Sequence, residues 1–175
     1  MLQKISLRFD PVEDRLVLRL TVKTSAGPVD HWLLLTRRLC VGWRRDLQAM
    51  VDMSAALPER MDRAAKAAVS SAHHQALASQ VPTRTEAAEP VVEQPAERPP
   101  MLVTKIECGR RRGDGRWVLN FELRDGPPLT MVVADPTLHA LVDAVSRRVA
   151  AAGWNLPPIA SERAPVNPHP AAPLH

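Results

Sequence analysis

Segments in which apolar and polar residues alternate occur in both halves of the chain. Residues 15–23 read RLVLRLTVK and residues 116–124 read RWVLNFELR, so every second side chain is apolar. A period of two is typical of a β-strand with one buried face. In each half, the segment before this one alternates in the same way, at 2–9 and 102–108. The segment after it, at 30–36 and 129–134, is more continuously apolar, as a more deeply buried strand would be. We therefore predict three strands in each half, at 2–9, 15–23, 30–36, 102–108, 116–124 and 129–134.

Each set of strands is followed by a segment with helical periodicity. In the second half, Asp135 is suited to the N-cap and Pro136 to the first helical position, and Gly153 follows the segment as a C-terminal signal. In the first half, Thr36 is suited to cap a helix that stops before Pro58. The apolar stripes that predict these helices comprise Leu39, Trp43, Leu47, Met50 and Leu57, and Leu138, Leu141, Val142, Val145 and Val149.

The two halves also resemble each other residue by residue. Placing Lys4 over Lys105 aligns 4–25 with 105–126 without a gap, and five of the aligned pairs are identical. Further on, Trp32-Leu33-Leu34-Leu35 falls over Thr130-Met131-Val132-Val133, and Met50-Val51-Asp52 falls over Leu141-Val142-Asp143. Chance similarity between two amphipathic β segments is the alternative, but the common order of elements favours duplication.

These patterns predict an α+β protein with two copies of a three-stranded antiparallel meander followed by an amphipathic helix. A unit of this size buries too little surface to be stable alone, so the copies are expected to pack together or on another chain. Between them we predict an Ala-rich helix and then a disordered linker rich in Pro and Glu. The predicted divisions are a first module at 1–57, a connecting helix at 58–80, a linker at 81–100, a second module at 101–156 and a disordered tail at 157–175.

Composition adds limits on where the protein works. A net charge of +4 permits binding to polyanions without requiring it. The preference for Arg over Lys, with abundant Ala and Pro, is typical of a GC-rich bacterial genome. Cys40 and Cys108 lie within apolar patterns, which favours reduced, buried thiols in a cytoplasmic protein. No apolar run approaches the length of a membrane span, and no signal peptide is recognisable.

Two basic clusters are candidate binding sites. The first is the turn of the second module, with Arg110, Arg111, Arg112 and Arg116 among glycines, where guanidinium groups could contact phosphates. The corresponding turn of the first module, 10–14, is acidic, so the two tips of different copies could also attract each other head to tail. The second cluster surrounds Trp43 at the start of the first helix and comprises Arg37, Arg38, Arg44 and Arg45. In both cases a solvated surface is the simpler interpretation.

No catalytic, cofactor or metal motif accompanies these clusters. His73 and His74 are adjacent on a predicted helix and are expected to point to different faces, which does not allow chelation as a pair one turn apart would. The glycines at 109–115 lead into a strand and lack the Gly-Lys-Ser/Thr of a phosphate-binding loop. We therefore expect a non-enzymatic protein that needs no cofactor and binds a protein partner or itself. The alternative is a nucleic-acid-binding accessory protein that uses the two basic clusters.

Overall fold

Six strands and three helices make up most of the part of the chain that the structure describes. The structure, a computed structural model, describes residues 2–81, 99–156 and 159. The elements are β1 (Leu2–Asp10), β2 (Arg15–Thr24), β3 (Gly27–Thr36), α1 (Arg37–Ala55), α2 (Arg63–Ala78), β4 (Met101–Arg110), β5 (Trp117–Leu123), β6 (Leu129–Val133) and α3 (Asp135–Ala151). The predicted α+β class is confirmed.

The strands form one mixed sheet in the order β1-β2-β3-β4-β5-β6. Within each half the strands are antiparallel, as in a meander. The halves meet at a short parallel bridge, where Leu33 and Leu34 of β3 pair with Met101 and Leu102 of β4. Among the strands that the structure describes, β1 and β6 are therefore the two outer ones.

Alternation along the strands places one apolar face of the sheet in the core. Leu16 and Leu18 of β2 lie opposite Phe9 and Leu7 of β1, and all but the half-buried Phe9 are buried. In the second half, the buried side chains of β5 are Trp117, Leu119 and Phe121. Both sets belong to one continuous hydrophobic core, together with the apolar stripes of α1 and α3.

The first two strands of each half share an irregularity at the same place. The β1–β2 register shifts between Leu2 and Lys4, and the β4–β5 register shifts between Val103 and Lys105. Shifts of this kind mark a β-bulge, in which one strand carries an extra residue and bends. The two bulges are 101 positions apart, which is the offset of Lys4 from Lys105 in the sequence match.

The helices cross over between the halves. α1 follows the first meander but packs against β4, and the ring of its Trp43 meets Phe121 of β5 edge-on at 6.3 Å between centroids. α3 follows the second meander but packs against β1, where Arg148 Nε donates to the Leu7 carbonyl at 2.9 Å. Each half thus completes its core with the helix of the other.

The residue after α3 that fixes this crossing is Trp154. Its ring meets Phe9 of β1 edge-on at 5.9 Å between centroids, and its indole N–H donates to Asp14 at 2.6 Å. Its backbone carbonyl accepts from Arg37, the first residue of α1, at 3.0 Å. Gly153 has a φ of +65°, the left-handed conformation that a residue ending a helix often needs.

The first helix starts as predicted and the last does not. The Thr36 hydroxyl accepts from the Leu39 N–H at 3.2 Å, as an N-cap should. In the second half the N-cap is Ala134, so the prediction that Asp135 caps α3 is wrong. Asp135 is instead the first helical residue, and its carboxylate accepts from the indole N–H of Trp117. Pro136 is accommodated because the first helical turn has no partner for its missing N–H in any case.

The connecting helix predicted over 58–80 is present as α2, which begins after Asp62 and packs on α1 and α3. Residues 82–98 of the predicted linker lie outside the described residues. So does most of the predicted tail, but Ile159 within it is 3% exposed and belongs to the core.

Candidate functional site

The turn between β4 and β5 holds its arginines largely by internal contacts. The guanidinium of Arg110 lies 5.1 Å from the centre of the Trp117 ring, and its Nε donates to the Gly115 carbonyl at 2.8 Å. A guanidinium over an indole face is a favourable cation–π contact. Arg110 is therefore a support of the turn as well as a charge on it.

One carboxylate serves two further arginines of this turn. Arg111 donates to both oxygens of Asp114, and Arg116 Nε lies 3.6 Å from the same carboxylate. The hydrogen bonds from Arg111 hold the pKa of Asp114 well below its usual range. Within the described residues Arg112 has no ion pair, so it is the arginine of this tip most available to an anion.

The second predicted cluster is divided between surface and core. Arg38 and Arg45 are exposed, and Arg44 is half-buried. Arg37 is exposed, but its guanidinium is bonded to Trp154. Trp43 is 2% exposed, so its indole belongs to the core and offers no face on which a base could stack.

The acidic turn between β1 and β2 also uses its carboxylates internally. Asp10 accepts from the backbone N–H groups of Val12 and Glu13, and Asp14 is bonded to Trp154. Glu13 lies 3.5 Å from Arg15. The head-to-tail attraction proposed for the two tips would therefore have to compete with contacts inside one molecule.

Away from the core, the first half of the sheet carries a paired charge cluster. Arg19 donates two hydrogen bonds to Asp30 and lies 5.0 Å from the centre of the Trp32 ring. Thr21 donates to the other oxygen of Asp30 at 2.6 Å. Hydrogen bonding from Arg19, followed by that from Thr21, lowers the pKa of Asp30 against the opposing effect of burial. Since its charges are matched, this cluster stabilises the β2–β3 pairing.

The outer edge of β6 differs from that of β1, the other outer strand among the described residues. The corresponding edge of β3 is bridged by β4, and α3 packs against β1, where Arg148 donates to the Leu7 carbonyl. β6 is the last strand in the sheet order, and among the described elements its extensive packing is with β5. Thr130 is exposed and Leu129 and Val132 are half-buried along it. A strand edge that has no neighbour among the described strands can accept hydrogen bonds from an added strand.

The structure also contains a site that the sequence did not indicate. His74 of α2 and His139 of α3 are 1% and 0% exposed, and their Nδ1 atoms are 2.8 Å apart. His139 Nε2 lies 3.1 Å from the Ser54 hydroxyl of α1, which lies 3.3 Å from His73 Nε2. We call these four residues the histidine junction.

The expectation that His73 and His74 serve different faces is corrected by this junction. Neighbouring residues leave a helix about 100° apart, yet both rings reach His139, at 5.5 Å and 4.9 Å between centroids. His139 lies 65 positions from His74. No local pattern in a sequence connects residues so far apart.

The two thiols are unreactive near neutral pH, and the described residues contain no cluster of metal ligands. Burial raises the pKa of Cys40 to about 12 and that of Cys108 to about 11, which keeps both thiols protonated near neutral pH. No group of three or more metal-ligating side chains is arranged to hold an ion within residues 2–81, 99–156 and 159.

A scan of protein-family models, a search of curated proteins and a search of solved structures each found no match to this chain. No helix in the part of the chain that the structure describes is long and apolar enough to cross a membrane.

Proposed function

We propose that this chain is a non-enzymatic protein-interaction module, built by duplication of one βββα unit, and that it receives an extended segment of a partner protein at the outer edge of β6. The observation that carries the proposal is the difference between two corresponding edges. The edge of β3 is bridged by a strand of the other half, whereas β6 is the last strand of the sheet within residues 2–81, 99–156 and 159.

Duplication is supported by registers that agree between the halves. Leu16 pairs with Leu35 as Trp117 pairs with Val133, and Thr36 and Ala134 follow as the N-caps of α1 and α3. The β-bulge adds a second match, since it lies at the same position in both first strands. Two unrelated meanders have no reason to share both features.

The same correspondence supports the location of the binding edge. Leu33 and Leu34, which bridge to β4, correspond to Met131 and Val132 of β6. The residue that corresponds to Leu102, the partner of Leu34, is Met1, which lies outside the described residues. A partner strand would place its main chain beside Val132, with backbone hydrogen bonds giving affinity and side-chain contacts giving specificity.

The experiment combines peptide selection with backbone mapping. Peptides selected from a random displayed library against the full chain are titrated into isotopically labelled protein, and the amide shifts are followed by NMR. We expect the shifts to concentrate on β6. Val132→Lys should weaken binding by about tenfold or more, because a charge at an edge opposes strand pairing.

Val118→Lys is the matched control. Val118 is the cross-strand neighbour of Val132 and is also half-buried, but β5 has a paired strand on each side. Its binding should stay within about twofold of the wild type, since an interior strand has no free edge to block. Shifts centred away from β6, or equal weakening by both substitutions, would contradict the proposal. Light scattering measures the mass of the free protein, and so shows whether the edge of β6 is occupied by β6 of a second copy instead of a partner strand.

Binding to nucleic acid is the second candidate function, supported by the tip that carries Arg112. The tip carries four arginines, and its carboxylate, Asp114, pairs with two of them, so the tip has a net positive charge. Under this alternative, affinity for a fluorescent single-stranded oligonucleotide falls steeply with salt and is lost in Arg112→Glu. Under the proposed function, peptide binding at β6 is unaffected by that substitution.

A further inference from the structure

The connecting helix α2 is held in place mainly by polar contacts. Its two fully buried side chains are Ser70 and His74, both polar, whereas its apolar side chains are at most partly buried. Ser70 donates to Asp52 of α1 at 3.3 Å, and His74 meets His139 of α3. Because little apolar surface is removed from water, the docking of α2 depends on the hydrogen bonds and the protonation of these polar groups.

The histidine junction is a continuous chain of hydrogen bonds across three helices. It runs from His73 through the Ser54 hydroxyl and both ring nitrogens of His139 to His74. A neutral imidazole has one N–H and one acceptor nitrogen, and a hydroxyl can donate and accept. The chain can therefore be satisfied in either direction while all three rings are neutral.

The Nδ1–Nδ1 contact limits how many protons the junction can hold. At 2.8 Å, one of the two nitrogens must carry the proton and the other must offer its lone pair. If both rings become imidazolium, two N–H groups and two positive charges face each other in a buried space. That state is compatible only with separation of α2 from α3.

Burial opposes protonation of His74 and His139, and the titratable groups around them act in both directions. His73 of α2 adds a third imidazole beside His74 and His139, which disfavours a second positive charge. On α3, Asp143 and Asp135 favour protonation of His74 and His139, respectively. Asp143 is itself paired with Arg147 at 2.8 Å. On α1, the nearby carboxylate is Asp52, which accepts from Ser70 and from Gln48.

We propose that the histidine junction is a pH-sensitive latch, which holds α2 against α1 and α3 near neutral pH and releases it when His74 and His139 are both protonated. The six-stranded sheet and the contacts of α1 and α3 with it stay formed, because they belong to the apolar core. Release turns residues 63–78 from a docked helix into part of the connection between the halves. This inference does not depend on the proposed binding edge.

Hydrogen exchange of the full chain tests the latch. Protection factors of the α2 amides, corrected for intrinsic exchange, are compared with those of β2 and β5 at about pH 7 and about pH 5, a range in which histidines titrate. We expect the protection of α2 to fall by about tenfold or more at the lower pH and to stay well below that of β2 and β5, whose amides exchange only when the whole chain unfolds.

His74→Leu/His139→Leu removes both titrating rings and should make the protection of α2 independent of pH in this range. His74→Gln keeps one hydrogen-bonding group in place without a titrating ring, and gives the same test if the double variant does not fold. His31→Gln, in β3, is the matched control and should behave as the wild type. Equal loss of α2 protection in the wild type and in the histidine variants overturns the latch, as does wild-type protection that does not change.

Discussion

At the scale of single residues, the two helix starts show how one position can be filled well or poorly. Thr36 and Ala134 have the same extended conformation and the same place after the third strand, but only Thr36 has a side chain that accepts a backbone N–H. An N-cap hydroxyl satisfies a donor that would otherwise be bonded only to water. Because Ala134 has no such side chain, the start of α3 lacks this stabilisation.

Thr36→Ala should lower the free energy of unfolding by about 1 kcal/mol, because it removes the cap of α1. Ala134→Ser, its counterpart, should raise that free energy by about 0.5–1 kcal/mol. Urea denaturation followed by fluorescence measures both. The correspondence between the two positions would be contradicted if Ala134→Ser were neutral or destabilising.

The histidine junction makes stability depend on pH. Burial, with the neighbouring His74 and His73, lowers the pKa of His139 to about 4 from 6.5. Above pH 6.5 the ring is neutral whether the chain is folded or unfolded, so stability is complete. As the pH falls from 6.5 towards about 4, the unfolded chain takes up a proton that the folded chain refuses, and the stability is lost.

We therefore expect the free energy of unfolding to fall by about 2 kcal/mol between about pH 7 and about pH 5 through His139 alone. His74→Leu/His139→Leu should remove this part of the loss, and His31→Gln should keep it. Urea denaturation at both pH values is the measurement. A double variant that loses as much stability as the wild type would show that other groups cause the effect.

At the scale of elements, the alternating patterns predicted the strands well because they depend only on local geometry. All six predicted strands are present, and their ends lie within three residues of the predicted ends. The cap of α3 could not be assigned in this way, because Asp135 receives the indole N–H of Trp117, a residue distant in sequence. A local Asp-Pro signal does not reveal such a bond.

The match between the two helices was also out of register. Met50 and Leu141 are 91 positions apart, whereas the N-caps Thr36 and Ala134 are 98 apart. The difference of seven residues is two turns of helix, which leaves an apolar stripe on the same face. A pattern of apolar positions therefore cannot distinguish the two alignments, while the pairing of the strands can.

One contact between elements can be tested against a neighbour on the same helix. Arg148 of α3 donates to the Leu7 carbonyl in a partly buried place, so Arg148→Met should cost about 1–3 kcal/mol of unfolding free energy. Arg147 pairs with Asp143 at the surface, and Arg147→Met should cost less than about 0.5 kcal/mol. Equal costs in denaturant titrations would show that the Leu7 contact does not hold α3 to β1.

At the scale of the whole molecule, the exchange of helices explains why two small units form one core. Alternation shows which face of a strand is buried, but not what covers it, so the crossing of α1 and α3 was not predictable from the sequence. Each unit would lack a cover for its own strands if the other were removed. The two halves should therefore lose their structure together.

Single-tryptophan variants test this coupling. A chain that keeps Trp32 alone reports on the first half, and one that keeps Trp117 alone reports on the second. In each variant, fluorescence and circular dichroism should give the same midpoint and slope in urea, because the two halves unfold together. A fluorescence midpoint that differs from the circular-dichroism midpoint in either variant would show that the halves unfold independently.

The crossing itself is tested most directly by nuclear Overhauser effects in the full chain. The account predicts contacts between the ring protons of Trp43 and Phe121, and between those of Trp154 and Phe9, whose ring centres are 6.3 Å and 5.9 Å apart. If Trp43 contacted only side chains of the first half and Trp154 only those of the second, each helix would cover its own strands. The exchange would then be refuted.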